Sequence, residues 1–190
     1  MNNLINIQQV FEKIILVDEK LNNREFEDCI FKNCDFSNSD FSFNTFMDCE
    51  FIDCNLSNLK LWNSSLTTVN FKNCKLIGIE FNKCEDFLFS VNFQDCNLGF
   101  TSFNNKKMLK SQYVNCSLKE TNFSGTNLTN VIFENCNLEN AIFNATILAG
   151  ADFRTSYNYK IDPENNLMKK AKFSNIGIAG LLYKYDIKIV

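Results

Sequence analysis

The 190-residue sequence contains no histidine. This removes the commonest general base and the commonest metal ligand before any motif is considered. One proline and six glycines are few for a chain whose pattern demands a turn every few residues. No run approaches the ~20 apolar residues of a membrane span. The opening MNNLINIQQV lacks the basic start and continuous apolar core of a signal peptide. The expectation is a soluble cytoplasmic protein in which the nine cysteines are reduced thiols, not a disulfide framework. A formal net charge of -3 does not fit a generic nucleic-acid binder. The sequence has no Gly-rich phosphate loop, nucleophile elbow or H-E-x-x-H. The expectation is a non-enzymatic chain with no catalytic residue, metal or cofactor.

What the sequence does have is twenty phenylalanines and a period of five. Large apolar residues recur from Phe26, Phe31, Phe36 and Phe41 through to Phe81; after a shift of two they resume at Leu88, Phe93 and Leu98 and continue to Phe153. Two residues before most of them stands a small one, such as Cys29, Cys34, Ser39, Cys49, Thr121 or Ala151. Neither the period of a strand nor that of a helix describes this, so a repeat architecture is expected.

Units such as CDFSN, CNLSN, TNFSG, CNLEN and ADFRT carry the pattern small, polar, large, polar, polar. In them the chain resembles the pentapeptide-repeat proteins, over about residues 26 to 153. The resemblance implies an all-β fold, a right-handed quadrilateral β-helix of about 6 to 7 coils, four units to a turn, with small and large residues inward. Residues 20 apart then stack about 4.8 Å apart. Cys34, Cys54 and Cys74, and after the two-residue shift Cys96, Cys116 and Cys136, fall on one side at that interval. Thiols in parallel columns neither converge as metal ligands do nor approach to disulfide distance. They are read as small interior filler.

Three regions depart from the repeat. Residues 1–25 keep the five-residue phase through Phe11, Leu16 and Leu21 but place Glu19 and Arg24 in small slots. They are read as an imperfect first coil or strand-like cap, with an amphipathic helix over 4–17 as the alternative. The irregularity at 84–92 puts Asp86 in the small slot before Leu88, and Lys106 follows 20 residues later. Either the two form an ion pair, or, as preferred from the rarity of buried charge, the coil bulges and both heads reach water beside Lys107 and Lys110. Residues 154–190 are read as a C-terminal cap: an irregular turn, a final coil side at 171–174, an α-helix over about 177–185, then a strand-like IKIV. Ile178, Leu181, Leu182, Tyr185 and Ile187 form the candidate dimer interface. In the resembling family the Qnr-type members carry a C-terminal helical cap that makes head-to-head dimers, and a homodimer is expected here.

Charge is uneven along the chain. Residues 26–58 hold Glu27, Asp28, Asp35, Asp40, Asp48, Glu50 and Asp53 against Lys32, a net of -6, whereas residues 154–190 carry +4. The seven acids are the candidate partner-binding surface. The resemblance to Qnr and MfpA proteins implies a protein partner, DNA gyrase or topoisomerase IV, bound partly by mimicry of duplex DNA, with protection from quinolones or other poisons. The chain departs from the Qnr members in lacking long projecting loops. The other reading is an interaction scaffold for a different protein partner, with no direct nucleic acid or membrane contact in either case.

Overall fold

The computed structural model describes residues 4–188. Its regular elements are short: β1 (Ile5–Ile7), β2 (Val10–Glu12), β3 (Glu25–Glu27), β4 (Ile30–Lys32), β5 (Thr45–Met47), β6 (Glu50–Ile52), β7 (Ser65–Thr67), β8 (Val69–Lys72), β9 (Val91–Gln94), β10 (Gln112–Val114) and β11 (Ile132–Glu134). Each pairs in parallel with its counterpart one coil away. One side is the four-stranded sheet β1-β3-β5-β7, and the next is the seven-stranded sheet running from β2 to β11. The larger sheet is in register at Phe31, Phe51, Phe71, Phe93, Tyr113 and Phe133, with the step from 71 to 93 absorbing the two extra residues. Two further sides are ladders of single parallel bridges, such as Asp35, Asn55, Lys75 and Asn97 on one and Asp40 with Lys60 on the other.

On the two sides without strands, the residue before the inward side chain often bonds to the backbone just ahead of it. At Asp35, Asn97, Asn122 and Asn137 the side-chain oxygen accepts the backbone N–H two residues on, at 2.9 to 3.1 Å. That local bond draws the segment out of extended geometry. On the strand sides the same slot holds Glu25, Ile30, Thr45 and Glu50, and also Asn70 and Asn92. The corners lie in the left-handed region, for example Asn33 at φ 53°, Asn38 at 58° and Asp48 at 52°. Among the described residues, Asn or Asp holds 18 of the 28 non-glycine positions with positive φ. These two residues tolerate that region best after glycine, which is why the chain turns constantly with so few glycines.

Inside, Phe11, Phe31, Phe51, Phe71, Phe93, Tyr113, Phe133, Phe153 and Phe173 form one continuous stack, with successive ring centroids 4.5 to 5.3 Å apart. A second column, Phe81, Phe103, Phe123 and Phe143, meets it edge to face. Both arrangements suit the ring quadrupole.

The small slot proves to be more than filler. Cys34, Cys54 and Cys74 donate their thiols to the carbonyls of Phe11, Phe31 and Phe51 in the coil below, at 3.3 to 3.4 Å. Ser64, Thr126, Thr146 and Ser156 make the same bond to Phe41, Phe103, Phe123 and Phe133. A small side chain with a donor is what these positions select.

Three expectations are corrected. Residue 88 is not the inward one: Leu88 is 61% exposed with φ 54°, and Phe89 fills the interior instead. The segment at about 177–185 is not an α-helix but two short 3-10 turns, Gly177–Leu181 and Tyr183–Tyr185. Gly177 and Gly180 lie so close to Tyr159 that their backbone follows its ring and carbonyl, and the left-handed Asp186 at φ 50° ends the coil of turns. Ile187 and Lys188 are in no strand, and the rest of the expected IKIV strand lies outside the described residues. Upstream, where a first coil is expected with a helix over 4–17 as the alternative, residues 5–24 form the coil, in register with the next.

Candidate partner-binding surface

The register distributes the seven acids over all four sides. Asp28 and Asp48 stack on one corner, both left-handed and exposed. Glu27 and Glu50 sit on the two strand sides, and Asp53 on the next corner accepts a hydrogen bond from Asn73 Nδ2 at 2.6 Å. Asp35 and Asp40 are only half exposed and are bound into the coil. Asp35 accepts from Ser37 N, Ser37 Oγ and Asn55 Nδ2, and Asp40 from Ser42 N and Asn22 Nδ2. For both, partial burial opposes ionisation, but these hydrogen bonds outweigh it and hold the carboxyls below their ordinary value. Asp28, Asp48, Glu50 and Asp53 are exposed and, with the half-exposed Glu27, carry the acidic character of the outer surface, while Asp35 and Asp40 build the coil.

Glu50 also begins one wall of a groove of about 460 Å³ that runs along the larger sheet. Asn70, Asn92 and Gln112 continue that wall, with Lys72 and Gln94 opposite. Asn92 Nδ2 donates to Asn70 Oδ1 at 3.2 Å, and Asn92 Oδ1 accepts the Gln112 amide, so the wall is a rigid amide ladder.

At the irregularity, Asp86 and Lys106 are brought together. Lys106 Nζ lies 2.6 Å from Asp86 Oδ1, and Lys106 is buried, contrary to the preferred expectation that both heads reach water. The reason is backbone accounting. In the adjoining coils the carbonyls at this slot accept amides from the coil above, as Thr126 O does from Ile147 N. The two-residue insertion disrupts this ladder. The Lys106 ammonium takes the amide's place, donating to Cys84 O and Glu85 O, and sits 4.9 Å from the Phe89 ring centroid. The consequence on the outside is an apolar tip, Phe87 at 79% and Leu88 at 61% exposed, with Leu109 exposed on the same side one coil on. Sequence reasoning missed this tip. The signal was FLF, which has more large residues than one slot takes.

In the tail, Leu181 packs against the interior and Leu182 is half-buried, whereas Ile178, Tyr185 and Ile187 are exposed. Lys184 ties the tail to the preceding turn through Asp162 at 2.7 Å and Glu164 at 2.6 Å. All nine thiols are free and buried; burial pushes Cys49 and Cys84 up to about 12. Among the described residues, no three His, Cys, Asp or Glu side chains are grouped to hold a metal ion, and no helix is long and apolar enough to cross a membrane.

Comparison with known proteins bears on the fold. No curated protein matches the sequence. Among solved structures, QnrB1, described as a plasmid-mediated fluoroquinolone resistance protein, superimposes in a trypsin-treated variant form with a TM-score of 0.61 at 18% identity, covering 94% of this chain and 99% of that one. Its full-length form gives 0.60 at 19% identity, covering 94% and 100%. The family described as "Pentapeptide repeat region" matches residues 24–103, and "Pentapeptide repeats (8 copies)" matches residues 115–156. With its parallel four-sided coil and these two matches spanning well over half of its length, the chain belongs to the pentapeptide-repeat proteins.

Proposed function

We propose that this protein is a non-catalytic binding protein that acts through the outward side chains of its rod, and that its partner is a type II topoisomerase, DNA gyrase or topoisomerase IV. The observation that carries this reading is the cluster of outward carboxylates, Glu27, Asp28, Asp48 and Glu50, on a rod whose fold extends the full length of a fluoroquinolone resistance protein. A line of negative charge substitutes for phosphates in a site built for duplex DNA. Supercoiling by gyrase, measured with and without the protein and with ciprofloxacin, tests it. Inhibition at high protein, or rescue from the drug, is expected; neither effect at micromolar protein rejects the partner.

A second reading, a scaffold for another protein, is favoured by the groove along the larger sheet and the Phe87–Leu88 tip. The tip offers contact without phosphate-like charge, and beyond Glu50 the groove is lined mainly by Asn70, Asn92, Gln94 and Gln112 with Lys72. A partner held at the tip would be lost on Phe87→Ser, which leaves Asp86, Lys106 and all seven acids in place. A homodimer through the tail is a separate proposal resting on the exposed Ile178, Tyr185 and Ile187.

A further inference from the structure

The first coil is unlike the rest on its outside. In the second coil the positions flanking the inward residues on the first three sides are Glu25, Glu27, Ile30, Lys32, Asp35 and Ser37. In the first coil the same positions hold Ile5, Ile7, Val10, Glu12, Ile15 and Val17. The five aliphatic members are 38% to 74% exposed. A terminal repeat ordinarily presents a polar outer face, and an exposed sheet edge is ordinarily blunted by charge. Here both rules are reversed.

Among the described residues, the backbone at this rim also lacks partners on its outer side. Glu25, Ile30, Asp35 and Asp40 donate their amides downward, to the carbonyls of Leu4, Gln9, Ile14 and Glu19. Carbonyls of Glu27, Lys32, Ser37 and Asp40 accept from amides of the first coil. By the same register, the amides of Ile5, Val10, Ile15 and Lys20 and the carbonyls of Ile7, Glu12, Val17 and Lys20 point off the end. Among the described residues, β1 and β2 pair on one edge only. The rim thus offers donors and acceptors on all four sides at once.

We infer that this rim is an interaction surface for a second copy of the chain, joined end to end about a two-fold axis perpendicular to the rod. A single extended segment would satisfy one side; another four-sided rim satisfies all four, with the strands of the two copies antiparallel across the junction. The charge balance fits self-pairing. Residues 5–24 hold Glu12, Asp18 and Glu19 against Lys13, Lys20 and Arg24, a neutral coil, unlike the acidic coils that follow. Copies can therefore meet here without like-charge repulsion at the contact.

The test is sedimentation equilibrium of the full chain at up to about 100 µM, with Ile5→Lys, Val10→Lys and Ile15→Lys combined, and separately Ile178→Glu with Tyr185→Glu. The three rim side chains face solvent, so circular dichroism and thermal midpoint are expected to stay near wild type, and a variant that loses them is replaced by Ile15→Lys alone. The expected result is a wild-type mass of at least twice 22.0 kDa that falls by half or more in the rim variant. If the tail also pairs copies, the wild type is larger still and the rim variant settles at the tail dimer. A monomeric wild type, or a mass unmoved by the rim substitutions, overturns the inference.

Discussion

Lys106 Nζ stands 2.6 Å from Asp86 Oδ1, yet the lysine side chain is 2% exposed and the aspartate 83%. The pair is lopsided because the lysine's other partners are backbone carbonyls in the interior. Lys106→Met removes the donor to Cys84 O and Glu85 O and is expected to destabilise the fold by ~1–3 kcal/mol, the cost of buried carbonyls left unsatisfied. Asp86→Asn alters only the solvent-exposed half of the pair and leaves the backbone partners of Lys106 in place, and is expected to cost under ~1 kcal/mol. Urea unfolding of the two variants measures both; equal losses would show that the ion pair, not the backbone substitution, matters.

The tail depends on two glycines. A Cβ on Gly180 would collide with the Tyr159 carbonyl oxygen, and one on Gly177 with the Tyr159 hydroxyl. Gly180→Ala meets backbone and is expected to cost ~1–3 kcal/mol. Hydrogen exchange should place the loss in residues 159–182. Tyr159→Phe removes a buried hydroxyl with no partner among the described residues, and is expected to be neutral or stabilising in the same experiment.

The small slot predicts which cysteine replacements succeed. Cys54→Ser keeps a donor to Phe31 O, as Ser64 does to Phe41 O. Cys54→Ala leaves that carbonyl without its donor and is expected to be the less stable of the two by roughly 1 kcal/mol, read from denaturant midpoints. All nine thiols are expected to react with a thiol reagent only at the rate of unfolding.

Acid is expected to loosen the coil through specific carboxyls. Asp35 and Asp40 are held below their ordinary value of 3.8 by hydrogen bonds that outweigh partial burial; Asp152 is held below it first by the Arg154 guanidinium. A depressed folded value means that these groups contribute stability fully above the unfolded value and lose it as pH falls through the folded one. The thermal midpoint should therefore fall below about pH 3.8. Asp35→Asn with Asp40→Asn should flatten that fall, since an amide keeps the acceptor without the titration.

The repeat, its phase and the inward columns were legible in the sequence because every coil repeats the same physical requirement. Phe31 packs on Phe51 as Phe51 packs on Phe71, so the signal accumulates. The donor role of Cys34 and Cys54 was legible in principle, since Ser and Thr share their slot. The insertion was not, because it occurs once. At CEDFLFS three large residues compete for one inward place, and the choice of Phe89 over Leu88 depends on a backbone path that no periodicity describes. The tail was misread for a related reason. Ile178, Leu181, Leu182 and Tyr185 stand at helical spacing, but Gly177 and Gly180 are pressed onto Tyr159, and contact with the coil end overrides the local pattern. The acidic surface was legible only through the phase: Asp35 and Asp40 immediately precede an inward Phe and are bound into their turns, whereas Asp28 and Asp48 stand two residues after one, on an exposed corner.

The central claim is that function resides in outward carboxylates that the fold does not need. The direct measurement is the affinity of immobilised gyrase for the wild-type protein and for a variant carrying Glu27→Lys, Asp28→Lys, Asp48→Lys and Glu50→Lys, at about 50 and about 200 mM salt, with circular dichroism confirming the coil. The account predicts binding that weakens with salt and is lost in the variant. Salt-independent binding, binding retained by the variant, or no binding by the wild type would contradict it.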